Sequence, residues 1–263
     1  MAYSRLPRTD RIRKHTRRIE NAGPRRAFLG IMRNMIGQYD IVGDLHGHLD
    51  VLERLCVELG YERPLVPPPG RRMVFVGDLA TRGPRNLETL LAVREAVLDG
   101  RALATLGNND DTLLKWLRDG KGADKPKLAD LIAQIEGTPK RAELRACLLS
   151  FLESLPLILR LDQNRLLVVH AGIEDRMLAT PLTSEDRWFI LNGDAIGKTP
   201  DGKTIRRDWA RNYHGAPFVV YGHTPMDEPE VRFNTINIDT GVYRTRRLTA
   251  FRWPERQIVT AQG

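Results

Sequence analysis

The sequence predicts an α/β fold, a parallel or mixed β-sheet with helices on its faces, from three observations. Three times in succession an apolar, β-branched run ends in a glycine-marked polar loop. Behind each loop apolar residues recur at helical spacing. The second half then supplies five more apolar runs of strand length, bounded by turn residues.

In chain order, Asp40-Ile41-Val42 is the first strand, and Gly43-Asp44-Leu45-His46-Gly47-His48 is the loop that ends it. Leu49, Leu52, Leu55, Cys56 and Leu59 then mark one face of a helix. Val66-Pro67-Pro68-Pro69-Gly70 is a stiff spacer. Arg72–Val76 is the next strand, ending at Gly77-Asp78, followed by a helix over 86–98. Ala102–Leu106 is the third strand, ending at Gly107-Asn108-Asn109-Asp110. From about 111 to 155 the pattern is helical, with stripes at Leu128, Leu131, Ile132, Ile135 and at Leu144, Leu148, Phe151, Leu152, Leu155. This reads as a small helical insertion whose leucines are core. It is a candidate cap over one side of any site. Strands are expected at Leu157–Leu161, Leu166–Val169, Phe218–Tyr221, Thr235–Ile238 and Leu248–Trp253, with a long irregular stretch from Gly172 to Ala216.

The 263 residues fit one large domain with an appendage, and no run is apolar enough to span a bilayer as a helix. The net charge of +8 is confined to residues 1–38, where ten basic residues face only Asp10 and Glu20. The remainder, 39–263, holds 31 residues of each sign and is neutral. The arm therefore reads as a flexible, solvated tail, with contact to nucleic-acid phosphates as its sharper alternative. No secretory segment is evident, and Cys56 and Cys147 lie in leucine-rich surroundings without paired spacing. Both features predict reduced thiols and a cytoplasmic protein with no membrane attachment.

Polar groups stand just beyond five of the apolar strands: Asp44 with His46, Asp78, Asn108, His170 and His223. Asp44 and His46 are two residues apart and in an extended backbone point the same way. Carboxylates, an amide oxygen and imidazoles at strand ends suit two hard-to-borderline divalent ions. Asp78, whose strand is expected beside the first, is the natural residue to bridge them. Any one of these is more simply a cap, a turn or a core histidine; together they would be costly to bury without a cation.

The blocks Gly43-Asp44-Leu45-His46-Gly47, Gly77-Asp78 with Arg82-Gly83, Gly107-Asn108, His170-Ala171-Gly172 and Gly222-His223-Thr224-Pro225 resemble the calcineurin-like metallophosphoesterase family. The likeness runs from Tyr39 to Val259 and is nearest to the phosphatase module of bacterial polynucleotide kinase-phosphatases and to the bis(5′-nucleosyl)-tetraphosphatases. It implies two mixed β-sheets packed as a sandwich and flanked by helices. It implies one metal on Asp44, His46 and Asp78 and a second on Asp78, Asn108, His170 and His223. Manganese is the expected ion, with iron, zinc, nickel or magnesium as alternatives. Arg82 matches a phosphate-gripping arginine and Arg206 a second one.

Two positions depart from the family pattern. Thr81 stands where an aspartate is usual and Asn109 where a histidine is usual. That histidine–aspartate pair protonates the leaving oxygen. Asn109 can donate a hydrogen bond to a phosphate oxygen but holds no transferable proton. The departures leave a neutral Asn–Thr pair that can still hydrogen-bond. A lost general acid costs about 10²–10⁴ in rate, most for poor leaving groups. The expected activity is hydrolysis of phosphate esters or anhydrides by metal-bound hydroxide, with Asp78, Arg82 and Asn109 in the catalytic set. Its substrate would be a phosphorylated small molecule, a nucleotide, a dinucleoside polyphosphate or a phosphoprotein. The alternative is a weakened or inactive relative that binds metal and phosphate. Asp110 and Asp111 read as helix N-terminal acids, His48 as a helix cap or rim residue, and His214 as structural or exposed.

Overall fold

The computed structural model describes residues 37–263, so the basic arm, apart from its last two residues, lies outside the described residues. In the first sheet β1 (Gln38–Val42), β2 (Arg71–Phe75) and β3 (Ala102–Ala104) run parallel. β11 (Arg247–Trp253) pairs antiparallel with β1, and β12 (Gln257–Gln262) with β11, in the order β12-β11-β1-β2-β3. In the second sheet β5 (Leu166–Val169), β8 (Phe218–Tyr221) and β10 (Thr235–Asn237) are parallel. β4 (Ile158–Leu161) and β9 (Glu230–Arg232) close its two edges antiparallel. Both sheets are therefore mixed, as the sandwich expectation requires.

The two-residue period of the strands builds the layers. Tyr39, Ile41, Val74, Val76, Phe251 and Trp253 point from the first sheet onto Leu166, Val168, Phe218, Val220 and Ile236 of the second. Their neighbours Val42, Met73, Phe75, Ala102 and Ala104 point the other way, onto α1 (Leu49–Glu58) and α2 (Asn86–Leu98). On the far face of the second sheet Leu167, Val169, Val219 and Tyr221 meet Ile190, Trp209 and Tyr213. A strand buried on both faces needs a continuous apolar run, the pattern β1, β2, β5 and β8 carry. Asp40 is the exception in β1, buried on the helix side. Its carboxylate accepts from Tyr61 (2.8 Å), Arg71 (2.8 Å) and Arg252 (3.0 Å), tying β1 to β2 and β11.

The helical insertion comprises α3 (Asn108–Asp119), α4 (Pro126–Glu136) and α5 (Arg141–Ser154). Leu128, Leu131, Ile135, Leu144, Leu148, Phe151 and Leu152 join the same core as α2, so the stripes are packing residues. Gln134 Oε1 of α4 accepts the Leu87 N–H at 3.2 Å, pinning the insertion to the start of α2.

The stretch from Gly172 to Ala216 is more ordered than its sequence pattern suggests. It holds α6 (Ser184–Asn192) and a hairpin of β6 (Ala195–Lys198) and β7 (Thr204–Arg206). Thr183 and Asp186 form a reciprocal cap on α6, whose weak apolar periodicity hid it. β7 is wholly exposed, and at the far edge of the first sheet β12 buries only Ala261, so neither carries an apolar signal. The last helix is the single turn α7 (Val242–Thr245). No helix among the described residues is long and apolar enough to cross a membrane. Cys56 and Cys147 are both free thiols.

Candidate metal centre

Parallel pairing puts the carboxyl ends of β1, β2 and β3 at one edge of the first sheet, and those of β5 and β8 at one edge of the second. Backbone bonds join the β1 loop to the β2 loop and the β5 loop to the β8 loop. His46 N–H donates to the Asp78 carbonyl at 2.9 Å, Gly47 N–H to Leu79 at 3.2 Å, and Gly222 N–H to His170 at 2.8 Å. The sheets are joined across the site by the His223 N–H, which donates to Asp44 Oδ1 at 3.1 Å. Two glycines are required by close approach. A Cβ on Gly222 would lie 2.2 Å from Asp44 Oδ1, and one on Gly107 2.2 Å from the Asp78 nitrogen. His46, Asp78 and His223 themselves have φ of 43°, 51° and 71°, a left-handed backbone that costs energy and clusters at working sites.

Asp44, His46, Asp78, Asn108, His170 and His223 all meet in this cleft. Asp44, His46 and Asp78 each offer a ligand atom, all within 4.8 Å of one another. His46 Nε2 is 3.9 Å from Asp44 Oδ2 and 3.7 Å from Asp78 Oδ2. The other Asp78 oxygen, Oδ1, is 3.6 Å from His170 Nε2. His170 Nε2 is in turn 3.1 Å from Asn108 Oδ1 and 3.1 Å from His223 Nδ1, and Asn108 Oδ1 is 3.2 Å from His223 Nδ1. Asp78 therefore stands between two groups and presents one oxygen to each.

The donor set fits divalent cations. Asp44 Oδ2 is buried without a hydrogen-bond partner, an orphaned anion a cation would satisfy. Burial and the charges of Asp239 and Asp78 push the Asp44 carboxyl well above the usual carboxylate range. Burial and Asp78 likewise raise Asp239 to about 7. Burial also opposes ionisation of Asp78, but His170, His46, His223 and the Asn109 N–H outweigh it and hold its carboxyl at about 2. Burial lowers His46 to about 4 and His223 to about 3, keeping both rings neutral, the form that ligates. His170 Nδ1 faces the Val76 carbonyl at 3.0 Å and His46 Nδ1 faces Thr81 Oγ1 at 3.4 Å. A carbonyl can only accept, so the His170 ring proton sits on Nδ1 and its Nε2 lone pair is left to the cleft, whereas the Thr81 hydroxyl can donate to or accept from His46.

The departing pair behaves differently from expectation. Asn109 and Thr81 do not bond each other. The Asn109 N–H donates to Asp78 Oδ1 at 2.8 Å, and its side-chain amide donates to Asp78 Oδ2. Asn109 is 1% exposed, so its N–H groups serve Asp78 rather than a phosphate oxygen. Thr81, also buried, serves His46. Arg82 is exposed, its guanidinium carbon 4.5 Å from the Tyr243 ring centroid. Arg206 Nη2 donates to His223 Nε2 at 2.8 Å, which places it on the rim. Asp110 caps the loop, accepting from the Asp78 (2.7 Å), Leu79 (3.1 Å) and Gly107 (3.0 Å) N–H groups. Asp111 pairs with Arg187 and Lys115. His48 sits at the α1 N-cap position but is buried, its Nδ1 3.0 Å from the His46 carbonyl, so it ties the loop rather than capping the helix. His214 is exposed.

Three residues that sequence reasoning passed over belong to the same neighbourhood. Asp239, which follows β10, keeps Oδ2 buried and unpartnered beside Asp44 and Asp78. Lys127, in the first turn of α4, is half-buried, which lowers its pKa, and its charge reaches Asp78, Arg82 and Asp110. Tyr243 meets His46 edge to face. The Asp239-Thr240-Gly241 turn was a readable signal for the first, whereas nothing local marked the other two.

A family model for calcineurin-like phosphoesterases matches residues 38–227. The chain is 37% identical over 228 residues to the bis(5′-nucleosyl)-tetraphosphatase PrpE [asymmetrical] of Anoxybacillus flavithermus, spanning 84% of this chain and 93% of that protein. To the protein of the same name from Oceanobacillus iheyensis it is 36% identical over 227 residues, spanning 84% and 90%. Among solved structures, one of a "putative diadenosine tetraphosphatase" superposes with a TM-score of 0.64 at 23% identity over 88% of this chain and 96% of that one. A protein serine/threonine phosphatase from Saccharomyces cerevisiae superposes with a TM-score of 0.59 at 14% identity over 86% and 80%. At these identities the superpositions speak for the fold alone.

Proposed function

The chain belongs to the calcineurin-like phosphoesterase family, and on that premise we propose that this hydrolase cleaves dinucleoside polyphosphates and similar phosphoanhydrides with two divalent ions, manganese first among them. The observation that carries the reading is the cluster of Asp44, His46 and Asp78 beside the contacts among Asp78, Asn108, His170 and His223, with Asp44 Oδ2 left over. Asp44, His46 and Asp78 would hold one ion, and Asp78, Asn108, His170 and His223 the other. Ions bound there supply Lewis-acid stabilisation of the phosphoryl oxygens and lower the pKa of an attacking water.

The remaining work falls to the chain's own residues. Arg82 lies exposed at the mouth of the cleft, and its planar fork suits two phosphate oxygens at once. Arg206 approaches from the β6–β7 hairpin, against His223. Asn109 and Thr81 hold Asp78 and His46 in place but carry no acidic proton. The leaving group must therefore depart without a proton from these positions. A nucleoside phosphate tolerates that, whereas an alkoxide, as from a seryl phosphoprotein, does not. The names of the relatives, asymmetrical tetraphosphatases, agree with that preference for an anhydride bond.

Steady-state assays of the manganese-loaded protein on a dinucleoside tetraphosphate, an aryl phosphate and an alkyl phosphate test the reading. The rates should fall in that order, with a steep dependence on leaving-group pKa. A flat dependence would contradict the missing-acid argument. Turnover of none, with tight metal binding retained, would leave the metal- and phosphate-binding relative as the reading.

A further inference from the structure

We infer that Arg82, Tyr243 and Arg244 form a subsite for a second phosphate of a polyphosphate chain, adjoining the phosphate at the metal centre. The inference deepens the function proposed above and rests on it for the position of the first phosphate. The Tyr243 ring meets the His46 imidazole edge-on, with centroids 5.1 Å apart and planes at 87°. The guanidinium carbon of Arg82 lies 4.5 Å from the same ring's centroid and that of Arg244 5.4 Å. A candidate metal ligand and two arginines thus share one phenol ring. A guanidinium resting on a ring uses its face, and its in-plane N–H donors stay available to paired phosphate oxygens.

Several other surface arginines of the second half are met by carboxylates, Arg207 by Asp194, Arg232 by Asp208 and Glu230, and Arg247 by Glu228, whereas Arg256 rests on Phe218 and Trp253 away from the cleft. Among the described residues, neither Arg82 nor Arg244 has an ion-pair partner. Two like charges beside one ring repel each other, and an anion carrying several charges relieves them. The charges of both reach buried Asp239 and lower its pKa, against the effect of burial. Both side chains are exposed, so the track runs outward from the cleft, as a chain extending beyond its first phosphate requires. A phosphate monoester has no second phosphate to place there.

The test titrates inorganic tripolyphosphate and orthophosphate calorimetrically into the full-length protein, with manganese in excess of both. Wild type should bind tripolyphosphate more tightly. Arg244→Gln should cut that preference about tenfold or more, the loss expected for a charge-assisted hydrogen bond. Tyr243→Leu should weaken both ions because Arg82 loses its support, and Tyr243→Phe, which keeps the ring, should recover most of that loss. Equal losses for the two ions in Arg244→Gln, or no loss, overturns the subsite. Because binding is the readout, a protein that keeps the preference yet turns over no dinucleoside polyphosphate would sink the proposed function alone.

Discussion

Asp78 touches more of the candidate site than any other side chain, with Asn109 donors on both oxygens and imidazoles beyond each. Asp78→Asn should lower manganese affinity and turnover at least about 100-fold, since even groups behind a ligand matter by 10–100-fold. Calorimetry and steady-state rates check both effects. The missing acid can be rebuilt. The double substitution Thr81→Asp with Asn109→His should raise the alkyl phosphate rate by about 10² or more and flatten the leaving-group dependence, while either change alone should not. Asp239 makes a pH prediction for the chelated protein. Its folded carboxyl, raised to about 7, holds a proton that the unfolded chain has already lost above its ordinary value near 4. The folded state thus binds more protons, so this stability is present at low pH and declines as pH rises through 7. Urea midpoints of the metal-free protein should fall as pH rises toward 7 and level off above it, and the fall should be shallower in Asp239→Asn, where the raised carboxyls of Asp44 and Asp110 supply the rest. Saturating manganese should reduce the slope in wild type, because cations beside Asp44 and Asp239 favour their ionised forms.

At the scale of elements, the strands carry the site and the insertion braces it. Leu131 of α4 is fully buried in the core shared with α2. Leu131→Ala should cost about 2–5 kcal/mol by denaturant unfolding, the range for a large-to-small change in a close-packed core. Such a change should leave manganese affinity intact if α4 supports the fold without ligating. The Asp40 network binds β1 to its neighbours on both sides, and Arg71→Met removes one of three donors to a buried carboxylate. That variant should lose about 1–3 kcal/mol, measured the same way. Continuous apolar runs and the period of 3.6 made these elements legible because the central strands are buried on both faces and the helices on one. α6, β7 and β12 escaped notice for the converse reason. β7 and β12 are mostly exposed and α6 has little apolar periodicity, and it is a cap or a neighbouring strand that orders them.

On the scale of the whole molecule, the neutral body and the basic arm are separate matters, and the whole charge excess lies in residues 1–38. If the arm docks on nucleic acid, deleting residues 1–31 should abolish salt-sensitive binding and leave phosphatase turnover unchanged. Within the body, the sequence by itself determined the α/β class, the sandwiched apolar strands and the six ligand-type residues at strand ends. Apolar runs, glycine turns and the polar groups beyond them are local properties, written within a few residues of one another. The tertiary structure alone decided that Asn109 faces Asp78 and Thr81 faces His46, that Asp239 joins the carboxylates, and that Tyr243 links His46 to Arg82 and Arg244. These contacts join residues far apart in the chain, Arg82 and Tyr243 among them. Only the pairing of β11 with β1 and the packing of two sheets bring them within a ring's width, and no local pattern encodes that closure.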